Sequence, residues 1–175
     1  MFKTGDIFFV MNKKNMISKV ISWAMSSNWS HSGIVYEMAK LNTYTLETND
    51  FCVTHGTMED YVTDLEHSME VYRPKSIDEN NACMAAIQTR AMLYGKMYGY
   101  LQLLSLGIRR LFMKFQIKIK NFIRTSVVCC HVVGYFYKNL GKTFISKLDS
   151  EGFDTEELYQ WIKKSDEFEL IYKKH

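Results

Sequence analysis

Two neighbouring segments with alternating apolar and polar residues restrict the fold more than any other feature of this chain. Residues 29–36 read WSHSGIVY, so that His31 and Val35 lie on one face. Residues 43–49 read TYTLETN and alternate again, with Glu47 on the face that lacks tyrosine and leucine. A period of two indicates β-strands, and the short connection between the segments favours an antiparallel pair. The sequence therefore predicts a sheet that contains these two strands.

Further strands and helices are expected along the rest of the chain. Apolar periodicity and capping residues place strands at about 6–11, 67–73 and 168–173, and helices at 16–25, about 77–93, after VVCC up to Gly141, and 154–162. The stretch 101–124 is ambiguous, because its leucines favour a helix whereas FQIKIKNF alternates like a strand. With 175 residues, 47% of them apolar, the chain suits one buried core. We therefore expect a single α+β domain over residues 1–175.

The composition argues against several classes of protein. A formal charge of +3 is too small to indicate a nucleic-acid-binding protein without a recognised module. The chain begins without a signal-peptide pattern, and no apolar stretch reaches the roughly 20 residues of a membrane-spanning helix. Four cysteines, at 52, 83, 129 and 130, have no regular spacing, which favours free thiols over a disulfide framework. We expect a protein that is cytoplasmic as synthesised.

The segment VVCCHVV, residues 127–133, carries the strongest indication of chemistry. If a helix begins near Cys129, this thiol lies in the first turn, on the stripe that continues through Val132 and Val133. The unpaired backbone N–H groups and the positive end of the helix dipole favour the thiolate there. The thiolate is the nucleophilic form of cysteine. Cys130 points about 100° away from that stripe, so Cys129 is the candidate nucleophile.

A nucleophilic cysteine needs a base, and the base needs a group that orients it. His31 lies within an apolar strand, which is an unusual place for an imidazole without a partner. Glu47, on the strand expected to pair with it, could hold one ring nitrogen and leave the other for the thiol. A histidine that is only a hydrogen-bonded core residue is the alternative interpretation.

Several motifs together resemble one family of enzymes. They are Gly5-Asp6-Ile7, residues 30–35, Glu47, Val71-Tyr72-Arg73, residues 95–100, Cys129 followed by Val132 and Val133, and the helix that starts at Asp154. In this order they resemble the circularly permuted papain-like cysteine hydrolases of the NlpC superfamily, and among these the YiiX-like branch. The resemblance implies a permuted papain-like fold, in which a small antiparallel sheet packs against a helix that bears the nucleophilic cysteine at its N-terminus.

The resemblance also implies roles for individual residues. Cys129 would be the nucleophile, His31 the general base and later the general acid, and Glu47 the residue that orients the imidazole. Relatives usually carry Ser and Glu directly after the cysteine, so Cys130 takes the serine position and His131 the glutamate position. This departure leaves Cys130 as the alternative nucleophile. The resemblance implies no metal or organic cofactor.

A zinc site is the first competing interpretation. Cys52 and His55 have the C-x-x-H spacing of zinc ligands, and the segment 129–131 could complete a tetrahedral set. Adjacent ligands on one helix diverge, however, which argues against this site. We expect His131 to be structural or solvent-facing, and His55, His67 and His175 to be ordinary surface or loop residues.

The segment 101–124 is both basic and apolar, with no acidic residue between Gly107 and Arg124. A solvated face around core positions is one interpretation. The other is contact with anionic lipid headgroups or with a wall polymer. The residues that would make this contact are Arg109, Arg110, Lys114, Lys118 and Lys120.

The function that these observations favour is hydrolysis or transfer at a carbonyl group through a covalent acyl-enzyme. We expect amide bonds as the substrate, as in a peptidase or amidase that acts on peptides or cell-wall fragments. A wall peptidase without a signal peptide would need another export route, such as phage lysis or a virion. The alternatives are a lipid acyl hydrolase or acyltransferase, and a non-catalytic binding or structural protein with the same fold.

Overall fold

The first strand of the chain lies in the middle of the sheet, and apolar side chains pack on both of its faces. The computed structural model describes residues 2–38, 42–49, 51–115, 127–141 and 153–175. Its antiparallel sheet has six strands in the order β4-β3-β2-β1-β5-β6. The strands are β1 (Ile7–Asn12), β2 (His31–Met38), β3 (Asn42–Thr48), β4 (Val53–Thr57), β5 (His67–Pro74) and β6 (Phe168–Lys174). The α+β class is thus confirmed.

Six helices accompany the sheet in the part of the chain that the structure describes. They are α1 (Met16–Met25), α2 (Met58–Thr63), α3 (Glu79–Leu93), α4 (Tyr100–Lys114), α5 (Cys129–Asn139) and α6 (Thr155–Lys164). Asp78 caps α3, and Asp154 forms a reciprocal capping box with Glu157 at the start of α6. Gly141 follows α5 with φ of 70°, a conformation that favours glycine. The predicted helix limits are confirmed within a few residues.

Two elements were not predicted, namely β4 and α2. The sequence VTHGT is only five residues long and contains a glycine, and α2 has fewer than two turns. Such short segments carry too few periods to stand out from loops. The ambiguous stretch is helical up to Lys114, and the alternating residues 116–122 lie outside the described residues.

The core forms two layers on either side of the sheet. Ile7 and Phe9 of β1 pack with helices α3, α5 and α6, whereas Phe8 and Val10 face a smaller cluster that contains Met58 of α2. Alternate residues of one strand therefore enter different layers, which explains the unbroken apolar run IFFVM. Each fully buried phenylalanine contributes roughly 1.5 to 3 kcal/mol.

A buried ion pair joins the start of β1 to the end of β5. Asp6 is buried, and its two carboxylate oxygens accept hydrogen bonds from Arg73 Nε at 2.9 Å and Nη2 at 2.8 Å. Gly5 precedes this contact with φ of 95°, which L-residues with a Cβ rarely adopt. Two of the motifs that carried the family resemblance, Gly5-Asp6-Ile7 and Val71-Tyr72-Arg73, thus meet in one contact. No helix within the described ranges is long and apolar enough to cross a membrane.

Candidate active site

Cys129 occupies the first position of α5. The helix packs against β2 and β3, so its N-terminus lies over this part of the sheet. Val128, the N-cap residue, has extended backbone and makes no side-chain hydrogen bond to the first turn. The Cys129 residue is 3% exposed, and its Sγ lies 3.5 Å from Thr155 Oγ1 at the start of α6. The thiol is therefore enclosed between two helix N-termini.

His31 and Glu47 lie together on the neighbouring strands β2 and β3. The His31 Nε2 atom is 2.5 Å from Glu47 Oε2, and the His31 side chain remains 20% exposed, whereas Glu47 is buried. Because Nε2 faces the carboxylate, Nδ1 is the ring nitrogen that remains for the thiol. This arrangement brings the three residues that sequence analysis singled out, Cys129, His31 and Glu47, into one cluster.

Glu47 is held by more partners than the sequence indicated. Thr45 donates a hydrogen bond to Oε1, and Tyr61 donates one to Oε2 at 2.5 Å. Burial alone would raise the pKa of this carboxyl group, but hydrogen bonding and charge from His31, together with the two hydroxyl donors, lower its pKa below the usual value. The carboxylate is thus ionised and fixed in position.

The ionisation of Cys129 and His31 is coupled. The adjacent Cys130 lowers the pKa of Cys129, and the neighbouring His31 lowers it further, so that it lies well below the ordinary value despite burial. For His31, burial acts to lower the pKa, but interaction with Cys129 and Glu47 outweighs it and raises the pKa to about 10. The favoured state is a thiolate beside an imidazolium, as nucleophilic catalysis by cysteine needs.

Cys130 differs sharply from its neighbour. It is buried, and its Sγ donates to the carbonyl oxygen of Phe153 at 3.3 Å. Burial and the adjacent Cys129 raise the pKa of Cys130 well above the ordinary value, so it stays a thiol. The His131 ring packs edge-on against Phe153 with a centroid distance of 5.4 Å, in agreement with the structural role expected for it.

A cleft of about 440 Å³ opens beside this cluster. Its wall includes His31, Glu47 and Tyr61, together with polar side chains from other elements: Asn12, Asn15, Asn49, Thr54, His55 and His67. Among the described residues of this wall, none is Lys, Arg or Asp. His31 contributes to this wall, whereas Cys129 does not and is buried.

His55 is exposed, as expected for a surface residue, whereas His67 is half-buried and has a charged partner that was not expected. His55 lies on β4 and stacks on Tyr94 with a centroid distance of 5.8 Å. His67 begins β5, where its Nδ1 is 2.9 Å from Asp64 Oδ2. Both rings line the cleft. Their position depends on the β3–β4 and β1–β5 pairings, which the sequence did not predict.

Gly56 and Tyr61 are the functional residues that sequence reasoning missed. The Gly56 amide donates to Thr45 Oγ1 at 3.1 Å, and a Cβ at this position would lie 2.8 Å from Glu47 Oε1. Tyr61 lies on α2. The sequence indicates this helix only through its N-cap residue Thr57, which accepts a hydrogen bond from the Asp60 amide, and through acidic residues in the first turn. Both act on the carboxylate rather than on the thiol.

The zinc interpretation does not fit the arrangement of its proposed ligands. The backbone of Cys52 pairs with that of Met97 in an isolated β-bridge, and the Cys130 thiol donates a hydrogen bond to the carbonyl oxygen of Phe153. Within the ranges that the structure describes, no group of three or more His, Cys, Asp or Glu side chains could hold a metal ion.

Arg109 does not belong to the basic surface in which it was expected. It is 9% exposed, and its Nη1 and Nη2 atoms pair with the two carboxylate oxygens of Glu157 at 3.1 and 3.2 Å. The residue therefore ties α4 to α6. Arg110 and Lys114 also belong to α4, whereas Lys118 and Lys120 lie outside the described residues.

Comparison with known proteins gives a fold and not a family. No protein-family model matches the chain, and no curated protein matches it. Among solved structures it is similar to the metalloprotein YiiX from Escherichia coli O157:H7, with 18% sequence identity and a TM-score of 0.62. The match covers 98% of this chain and 97% of that one. The chain therefore has a YiiX-like α+β fold over nearly its whole length.

Proposed function

We propose that this protein is a cysteine hydrolase of the permuted papain-like kind that acts on amide bonds, as a peptidase or amidase does. Cys129 is the nucleophile, His31 the general base and acid, and Glu47 the residue that orients the imidazole. One observation carries this proposal. A buried thiol of lowered pKa adjoins an imidazole whose Nε2 is 2.5 Å from a buried carboxylate. A thiol that served only to fill the core would keep its proton.

The reaction runs through a thioester. The Cys129 thiolate attacks the carbonyl carbon, a C–S bond forms, and the carbonyl π electrons move onto oxygen. When the tetrahedral intermediate collapses, the C–N bond breaks and the His31 imidazolium gives its proton to the leaving amine. Neutral His31 then takes a proton from water, which attacks the thioester, and the C–S bond breaks to release the acid and restore the thiolate.

The backbone of α5 supplies stabilisation for the negative charge on oxygen. First-turn N–H groups lack intrahelical partners, and the Cys129 amide is the one nearest to the attacking sulfur. The helix dipole adds to the positive potential there. One such donor is typically worth a factor on the order of 10² to 10³ in rate.

The metal of the structural neighbour is not part of this proposal. The neighbour is described as a metalloprotein, but the described His, Cys, Asp and Glu residues of this chain do not converge on a metal position. Both oxygens of Glu47 accept hydrogen bonds from protein groups. We therefore derive no step through a metal ion.

The decisive experiment detects the acyl-enzyme on an identified cysteine. Purified protein is incubated with an activated acyl ester, and peptide mass spectrometry locates the thioester. We expect the adduct on Cys129 in the wild type and in Cys130→Ser, and no adduct in Cys129→Ala. An adduct on Cys130, or one that persists in Cys129→Ala, would overturn the assignment. A wild type no more reactive than a free thiol would support the non-catalytic binding protein instead.

Lipid acyl chemistry is the second candidate because α1 and α4, which carry exposed apolar side chains, also contribute Ile21 and Tyr100 to the wall of the cleft. The two candidates differ in the bond that breaks. Release of amines from peptide or cell-wall fragments supports the first, and release of fatty acid from phospholipid vesicles supports the second. The Cys129→Ala variant is the blank for both assays.

A further inference from the structure

Helix α1 exposes an apolar stripe on its outer side. Met16, Val20 and Trp23 follow each other at i, i+4 and i+7, and Trp23 is 81% exposed. Residues at this spacing lie on one face of a helix. The other side of α1 carries Met25, which is buried in the core. The stripe is therefore additional to the face that α1 uses for folding.

Helix α4 has a similar outer stripe. Leu101, Leu104 and Phe112 lie at i, i+3 and i+11 and are exposed, whereas Ser105 and Arg109 on the adjoining face are buried. The stripe is thus not the side by which α4 packs on the domain. Single exposed apolar residues are common, but repeated ones on neighbouring helices indicate an interaction site.

The two stripes belong to one region next to the cleft. Helix α1 packs against α4, and both helices border the cleft through Ile21 of α1 and Tyr100 of α4. We call the six residues of the two stripes the α1–α4 face; they are Met16, Val20, Trp23, Leu101, Leu104 and Phe112.

The charged residues carried by α1, by α4 and by Lys13-Lys14 before α1 are all basic. Neither α1 nor α4 contains Asp or Glu. Lys13, Lys14 and Lys19 are exposed at the start of α1, and Lys14 forms a surface pair with Glu66. An apolar stripe with exposed tryptophan and flanking lysines suits the headgroup region of an anionic bilayer. In a symmetric dimer built on this face, the same lysines would face each other unfavourably.

We propose that the α1–α4 face docks the protein on an anionic lipid surface, with its apolar side chains in the headgroup boundary and the mouth of the cleft beside the membrane. The docking requires no reaction at Cys129, so the proposal stands apart from the proposed chemistry. It also differs from the earlier expectation, because α1 contributes and Arg109 does not.

The test uses the full chain as the Cys129→Ala variant, so that catalysis has no influence on the result. Binding to vesicles of phosphatidylcholine alone and of phosphatidylcholine with phosphatidylserine is measured by co-sedimentation and by tryptophan fluorescence, with Trp23→Ser as the reference for the emission of Trp29 and Trp161. We expect binding to the anionic vesicles, a blue shift of the emission, and weaker binding at high salt. Equal binding to both vesicle types, or none, overturns the proposal.

Matched variants locate the bound surface. The double change Val20→Ser and Leu104→Ser removes apolar area from both helices, and we expect about tenfold weaker binding or more. Leu65→Ser is the control, because Leu65 is also highly exposed but lies on neither helix. Circular dichroism verifies folding, and Trp23→Ser provides an independent variant of the same face. Unchanged vesicle affinity in a folded variant contradicts the proposal. The proposal is also contradicted if the protein is a dimer in sedimentation equilibrium and the double change makes it a monomer.

Discussion

Cys129 and Cys130 are identical side chains in adjacent positions, and their partners give them opposite properties. The pKa of Cys129 is lowered by Cys130 itself and by its neighbours His31 and Thr155, which together stabilise the thiolate. Cys130 is buried against a backbone carbonyl, which accepts a hydrogen bond from a thiol but repels a thiolate. The choice of nucleophile thus depends on tertiary contacts of single atoms rather than on the local sequence.

Gly56 makes room for the carboxylate of Glu47. In Gly56→Ala the new Cβ would lie 2.8 Å from Glu47 Oε1 and 3.0 Å from Thr45 Oγ1. Because a carboxylate end can move, we expect a small change in melting temperature but at least a roughly tenfold lower alkylation rate at neutral pH, as the imidazole loses its orienting partner. Cys52→Ser, just before the same strand, is the control. An unchanged rate in Gly56→Ala would show that Glu47 does not need this position.

Tyr61 is a positioning residue for Glu47. Tyr61→Phe keeps the ring that stacks beside His31 at 6.4 Å but removes the hydroxyl that donates to Oε2. Loss of a donor to a buried charged group costs about 1.5 to 3 kcal/mol, and the pKa of Glu47 should rise. We expect the acid limb of the pH–rate profile to move to higher pH, whereas Tyr94→Phe, on the other side of His55, leaves the profile unchanged. A lower rate with an unmoved acid limb would indicate a structural role only.

At the scale of elements, alternation and capping predicted the strands and helices that carry the three candidate residues. Helix α5 and strands β2 and β3 each have several periods of a clear pattern. The pair β4 and α2 was missed because five and six residues give too little periodicity. These short elements contribute Gly56 and Tyr61. The sequence therefore predicted Glu47 as a site residue but not the residues that hold its carboxylate in place.

The start of α6 supports the thiol through Thr155. Asp154→Ala removes the cap of α6 and should destabilise the protein by about 0.5 to 2 kcal/mol, and the loosened first turn should weaken the contact between Thr155 Oγ1 and Cys129 Sγ at 3.5 Å. We expect a lower alkylation rate of Cys129. The matched control is Asp78→Ala, which removes the cap of α3 with a similar loss of stability. Equal effects of the two variants on the alkylation rate would argue against a specific role for α6.

At the scale of the whole molecule, the sequence predicted the class but not the order of the strands. Sheet order depends on long-range contacts such as Asp6 with Arg73, which lie 67 residues apart. Arg109 illustrates the same limit. Its sequence context is uniformly basic and indicated a charged surface, but α6 supplies Glu157 and the pair is buried. No local pattern encodes such a partner.

The Asp6–Arg73 pair should contribute strongly to stability. Arg73→Gln leaves the buried carboxylate of Asp6 without its bidentate partner, and removal of one member of a buried pair is strongly destabilising. Because Arg73 is partly exposed, we expect a loss on the order of 3 kcal/mol in the free energy of unfolding, measured by urea denaturation. Lys14→Gln breaks the exposed pair with Glu66, which solvent screens, and should change the free energy of unfolding far less. Similar losses in both variants would contradict the role given to the buried pair.

The central claim is that Cys129 is a thiolate because His31 is protonated beside it. The pH dependence of alkylation by iodoacetamide, a reagent small enough for a buried sulfur, tests this in the wild type, with tandem mass spectrometry that distinguishes Cys129 from Cys130. Since the pKa of Cys129 is lowered, its thiolate fraction should already be complete at neutral pH, and the rate should stay nearly constant between about pH 6 and 8. In His31→Ala the rate should rise about tenfold per pH unit over that range, as for an ordinary thiol. A steep profile with His31 present, identical to that of His31→Ala, would contradict the account.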